Sequence, residues 1–201
     1  MRKSFNDKCL NAEKFNKYTI GEEKGKTVIY PIPDSGKTSY CPFDNPAEIV
    51  LDYLYIGYVT DKGYDAKDTV FEFVKKYGFP LPSSKALNVY SFAEDAQMLY
   101  LHFAEASKTP YPSEPEFILE TDPVSAVVKV DNGTKYIEWQ TKSLSASIEL
   151  AYTLLLCGKE RTIGVCKHCG LPFYTKNPKA EFCSPPCRNK YNVYKSRAKN
   201  K

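Results

Sequence analysis

No stretch of this 201-residue chain approaches the roughly 20 consecutive apolar residues that a membrane-spanning helix requires; the densest run is LAYTLLLC at 150–157. A helical membrane protein is thereby excluded. The opening stretch, MRKSFNDKCLNAEKF, is charged but has no apolar core behind it. It does not read as a secretory signal, and the expected compartment is the cytoplasm. Histidine is scarce, with only His102 and His168. His102, beside an apolar helical stripe, is expected to be partly buried or solvated rather than a catalytic base. A phosphate-binding loop is lacking too: Gly36-Lys37-Thr38 follows a possible strand, but Pro31 stands where the first glycine is needed, and Pro42 and Pro46 discourage a helix after Thr38. A turn is expected there. The adjacent acids Glu22-Glu23 and Glu94-Asp95 have no visible metal partner, so solvated faces are expected for them. No internal repeat or low-complexity tract interrupts the chain, and no enzymatic activity is expected.

What is present suffices for a core, since 42% of the residues are hydrophobic. The segment NPAEIVLDYLYIGYV opens with Asn45 as N-cap, Pro46 at the first helical position and Glu48 three residues after the cap, which predicts a helix to about Val59. DAKDTVFEFVKKYG repeats the pattern, with Asp65 as cap, Lys75 and Lys76 in the last turn and Gly78 as terminator. A third helix, about Val89 to Ser107, aligns Phe92, Ala96, Leu99, Phe103 and Ala106 on one apolar face. β-Branched and aromatic residues flank Asn132-Gly133, predicting a β-hairpin over 124–140. Leu144, Ile148, Ala151 and Leu155 then mark a helix ending at Gly158, on which Cys157 is expected as a buried small hydrophobe. KTVIYPIP is a possible strand in the first 45 residues, whose arrangement does not follow from the sequence.

Acids are scarce at one end. Residues 158–201 hold 11 lysines and arginines against Glu160 and Glu181, a net +9, whereas residues 1–157 hold 17 against 22 acids, a net −5. An acidic body with a basic end points to an anionic partner for that end, nucleic acid first of all.

The same end carries four of the seven cysteines, within VCKHCGLPFYTKNPKAEFCSPPCRNK at 165–190. Cys166 and Cys169 form a CxxC followed by Gly170, which lets a tight turn aim both sulfurs at one point. Thirteen residues separate Cys169 from Cys183, enough for a return hairpin turning near Asn177-Pro178. Cys183 and Cys187 bracket Ser184, a good N-cap, and Pro185, suited to the first helical turn, where free amides and the helix dipole favour thiolates. Four thiolates with no open position predict one structural Zn²⁺, which substitutes for a core in so small a unit. His168 lies in the knuckle but is not needed as a ligand. The expected fold is α+β: a mainly helical body with a β-hairpin over 1–157, then a treble-clef-like Cys₄ module over 158–201. Bound zinc lowers the module's charge to +7.

Its last helix, about 185–199, places Cys187, Tyr191, Tyr194 and Ala198 on one stripe, assigned to packing against the zinc hairpin. Cations surround the rest; Arg188, Lys190, Lys195, Arg197 and Lys199 are the expected phosphate contacts.

CKHCGLPFY and FCSPPCRNKYNVYKSR together resemble the C-terminal zinc finger of bacterial CGNR-type proteins, over residues 166–197. The family's Cys-Gly-Asn-Arg corresponds to Cys187-Arg188-Asn189-Lys190, with cysteine and asparagine kept and the other two replaced. FEFVKKYGFPL at 71–81 is similar to part of the family's helical N-terminal domain. The resemblance implies a cytoplasmic DNA-binding regulator of transcription, of the kind described as stress-induced. The alternative is a protein-interaction or ligand-sensing protein in which the zinc module is only a structural brace.

Overall fold

The computed structural model describes residues 12–82, 84–107, 124–131, 134–157, 163–177 and 179–199. Cys9, the Asn132-Gly133 turn and the expected terminator Gly158 lie outside them. The described chain mixes five α-helices with four small sheets. No helix among the described residues is long and apolar enough to cross a membrane.

The N-terminal region, not derivable from sequence, is built of strands. β1 (Ala12–Phe15) pairs antiparallel with β4 (Lys37–Tyr40), and between them β2 (Tyr18–Glu23) pairs with β3 (Lys26–Pro31). The β2–β3 turn places Lys24 at φ 52° and Gly25 at φ 75°, the double left-handed conformation of a two-residue hairpin whose twist matches the strands. Lys37-Thr38 lies on β4, after a short 3₁₀ turn at Pro33–Ser35 and with no helix following Thr38. That is strand geometry, not a phosphate loop.

α1 (Pro46–Asp61), α2 (Lys67–Tyr77), α3 (Val89–Ala106) and α4 (Leu144–Cys157) form the helical body. The two-residue β5 (Leu87–Asn88) joins β3 as an edge strand, and Asn88 then caps α3 by accepting from the Ser91 amide at 3.0 Å. The capping box expected at α1 is altered: the Asn45 amide donates to Glu48 Oε2 at 2.6 Å instead of receiving a backbone N–H. Asp65 accepts from the Lys67 amide at 2.9 Å, so α2 starts one residue later than its cap implied. Gly78, at φ 82°, ends α2 as predicted.

The core is assembled from Val50, Leu54, Ile56, Val70, Phe73, Phe92, Ala96, Phe103, Ile148 and Tyr152, with Ile29 from the sheet. α1 is apolar around much of its circumference because it lies between α3 and α4. β6 (Ser125–Asp131) and β7 (Thr134–Gln140) pair antiparallel from Ser125 opposite Gln140 to Asp131 opposite Thr134, so the predicted hairpin is present. One expectation for α4 is corrected. Cys157 is exposed, because the last turn of α4 has passed the edge of the core. Glu94 and Asp95 are both exposed, the solvated face expected for them; Asp95 also borders a cleft of about 560 Å³ with Tyr53, His102 and Glu149, and partial burial there raises its pKa.

Candidate metal centre

Beyond the body, β8 (Ile163–Val165) pairs antiparallel with β9 (Pro172–Tyr174), and α5 (Pro185–Lys199) closes the chain. The knuckle itself is the turn of this β8–β9 hairpin. The Cys166 amide donates to the Leu171 carbonyl at 2.9 Å, the Gly170 amide to the Cys166 carbonyl at 2.9 Å, and Gly170 adopts φ 78°, which a side chain would strain. The return hairpin expected through 171–182 is therefore displaced. Strands form on either side of the CxxC because its tight turn already brings them together. The described residues of 175–182 form no strand but a loop, which turns near Asn177 as expected, the Ala180 amide donating to the Asn177 carbonyl at 2.9 Å, with Pro178 outside the described residues. A backbone bond ties that loop down, from the Lys167 amide to the Glu181 carbonyl at 2.9 Å, reinforced by the Lys167–Glu181 ion pair.

At the start of α5, Ser184 Oγ accepts from the Cys187 amide at 3.4 Å and its carbonyl from the Arg188 amide at 3.2 Å, the predicted cap. Loop and helix thus deliver the second cysteine pair onto the first. All four Sγ atoms of Cys166, Cys169, Cys183 and Cys187 lie within 4.8 Å of one another. Three of the separations are Cys183–Cys187 3.5 Å, Cys169–Cys183 3.7 Å and Cys187–Cys169 3.8 Å, too long for a disulfide and suited to four sulfurs around one ion. Cys166 is buried and the other three half-buried, and four thiolates on one ion would complete a tetrahedral set. His168 is not among the converging groups; its ring packs on Tyr194 at 5.8 Å.

Electrostatics prepare the site for a cation. Burial pushes the Cys166 thiol up, but the backbone amides of Cys169, Cys183 and His168 outweigh it and hold the pKa down to about 7. Cys169 is pushed up to about 12, by burial and by the neighbouring sulfurs, and Cys183 is raised for the same reasons. Without a metal, protons must therefore bridge the cluster at neutral pH. Ion binding displaces them, at least those of Cys169 and Cys183, so affinity is retained at high pH and lost as pH falls. A competition titration against a chromophoric chelator, corrected for the chelator's own protonation, is expected to show affinity rising at least about 100-fold per pH unit between pH 6.5 and 7.5. A flat profile would be incompatible with ligation by the four thiolates.

The cationic residues divide as follows. Arg188, Lys190, Lys195 and Arg197 are exposed along α5, and Lys199 is its last residue, with its side chain outside those described. The tyrosine seam packs for half its length. Tyr191 meets Phe182 at 5.2 Å, and Tyr194 meets only His168 of the knuckle and stays 57% exposed, whereas Ala198 is exposed beyond it.

Sequence reasoning missed the residues that seat the metal unit. Tyr100 Oη donates to the Gly170 carbonyl at 2.9 Å, and Tyr58 packs edge to face on Tyr100 at 5.8 Å beside the same glycine. Burial pushes both phenols above their ordinary range, so Tyr100 keeps the proton it donates. Ile163 of β8 is buried in the body's core. No local pattern marks Tyr58 or Tyr100, since their role arises from contact with a residue 112 or 70 positions later.

Compared with protein-family profiles, with curated proteins and with solved structures, the chain matches none of them.

Proposed function

We propose that this protein is a zinc-dependent nucleic-acid-binding regulator whose C-terminal unit holds one structural Zn²⁺ through Cys166, Cys169, Cys183 and Cys187 and contacts phosphates through α5. The observation that carries the zinc assignment is the cage of sulfurs. A tetrahedral ion with Zn–S bonds of about 2.3 Å requires sulfurs about 3.8 Å apart; three separations here are 3.5, 3.7 and 3.8 Å and all lie within 4.8 Å. Knuckle, loop and ligand-bearing helix make the unit treble-clef-like, and its resemblance to CGNR-type fingers supports a role in transcription with DNA as the ligand. Zinc supplies no reaction in this reading; it holds α5 in place.

The phosphate assignment rests on Arg188, Lys190, Lys195 and Arg197, which are all exposed and, among the described residues, drawn into no ion pair. Both arginines can engage a phosphate with two N–H groups, and the lysines act as point charges. Affinity for a 20-base-pair duplex, measured from 50 to 300 mM salt, should fall steeply. The doubly substituted Arg188→Ala/Lys195→Ala chain should flatten the log–log slope by about 2 while keeping its metal. Equal affinity and slope in the two proteins would reject these contacts.

One observation favours the second reading, a protein-interaction or ligand-sensing body braced by zinc. The unit is bolted to the body through Tyr100, Tyr58 and Ile163. Substitution of surface residues on the body that abolishes capture of a co-purifying protein, with no salt-dependent nucleic-acid binding by the same preparation, would select it.

A further inference from the structure

Four tyrosines on this protein are used unusually. Tyr58 and Tyr100 seat the knuckle, as described, but their neighbours on either side of it remain open. Along α1, Tyr55 stacks on Tyr58 with ring centroids 6.1 Å apart and planes 19° from parallel, yet is 45% exposed. Across the knuckle, His168 lies 31° from parallel to Tyr194, which is 57% exposed. An aromatic row thus runs from Tyr55 through Tyr58 to the knuckle at Gly170, and from His168 to Tyr194. Core tyrosines have no reason to end in half-exposed, near-parallel rings, and a surface that needs only solubility does not collect them around one turn.

The cations beside the Tyr194 end of this row are those an anionic chain needs. Lys190 and Arg197 lie one turn to either side of Tyr194 on α5, and both are exposed. Lys62 sits over the Tyr58 ring at 5.7 Å, and its partner Asp61 leaves it 43% exposed. Asp52, one turn before Tyr55, shares Lys76 with Glu48, so the phosphates are assigned to α5 and not to this end of the row. In a duplex the base faces are covered by their neighbours, so exposed rings gain nothing from them. In a single strand each base offers a free face, and alternating aromatic and cationic side chains match its alternation of base and phosphate.

We infer that the partner of this surface is single-stranded nucleic acid, its bases stacked on Tyr55 and Tyr194 either side of the metal knuckle and its phosphates held by α5. This rests on the phosphate contacts proposed above and narrows their ligand. The knuckle fixes the separation of the two platforms, because Tyr100 and Tyr58 set α1 against Gly170 while His168 sets Tyr194.

The test uses the full metal-loaded chain with fluorescein-labelled dT20 and a 20-base-pair duplex, followed by anisotropy at 50 mM salt. Single-stranded binding is expected to be the tighter. Tyr55→Ala and Tyr194→Ala should each weaken it about 10-fold, Tyr55→Phe and Tyr194→Phe should restore it, and duplex affinity should move less than about two-fold. Metal content and far-UV circular dichroism of each variant establish that the fold is kept. Should the duplex bind more tightly than dT20, or both alanine variants bind dT20 within about two-fold of the parent, the inference is overturned while the phosphate contacts stand. Binding to neither probe would overturn both.

Discussion

Cys183→Ser is expected to abolish metal binding and to unfold residues 163–199 while α1 to α4 keep their structure. The region is two three-residue strands, a loop and one exposed helix, and its buried side chains are essentially Ile163 and Cys166. So little apolar burial cannot offset the conformational entropy lost in ordering the region. Ion binding by four thiolates, worth about 10–16 kcal/mol at pH 7 for a zinc-finger peptide, is the largest single contribution that holds it folded, alongside its backbone hydrogen bonds and its contact with the body. Serine removes one thiolate and leaves a poor ligand in its place. Hydrogen exchange read by residue is the appropriate measurement. Amides of β8, β9 and α5 should lose protection, and those of α1 and α3 should keep it. The body does not escape entirely: Tyr100 loses the Gly170 carbonyl as acceptor, and leaving that hydroxyl unmet costs about 1–3 kcal/mol. Its melting temperature should therefore fall by about 4–8 °C. Full protection of α5 in the metal-free variant would show that the unit has a core of its own.

Gly57→Ala has the second-largest expected effect, and its sign is opposite to that implied by helix propensity. Glycine in a helix interior is worse than alanine by about 1 kcal/mol, so the sequence alone predicts a gain. In the folded protein a Cβ on Gly57 would lie 2.2 Å from the Ala96 carbonyl oxygen and 2.6 Å from Tyr100 Cβ. The obstacle is the α3 backbone, so no rotamer change relieves it. α1 and α3 must separate where they cross most closely, loosening Val50, Leu54, Phe92 and Phe103. A destabilisation of about 3 kcal/mol is expected, read as a lower midpoint in urea at unchanged slope and a loss of about 6–12 °C in melting temperature. Because Tyr100 moves with α3, the variant should also hold its metal less tightly. An alanine variant as stable as the parent would mean that the two helices pack further apart than described here.

Helices α1 to α5 were legible in the sequence because their signals are local. A proline at the first position of α1, Gly78 after α2 and an apolar stripe on α3 act through residues three or four positions apart. The four cysteines were legible for the same kind of reason, since a CxxC and a pair bracketing a helix cap chelate through short-range geometry. Of the strands of residues 12–40 only β3, within KTVIYPIP, was legible, and its pairing was not. β1 meets β4 across more than 20 residues and β5 reaches β3 from beyond two helices, pairings that depend on the whole chain and on no neighbouring residue.

Thus the sequence by itself determined that the last fifth of this protein is basic and carries a four-thiolate metal site on a helix start. Only the tertiary structure decided where that site sits: against Tyr58 and Tyr100, with Tyr55 and Tyr194 left open on either side. The physical reason is range. Ligand spacing and helix capping are governed by bonds a few residues long, whereas the face a metal unit presents depends on which distant side chains the packing of α1 on α3 brings to its door.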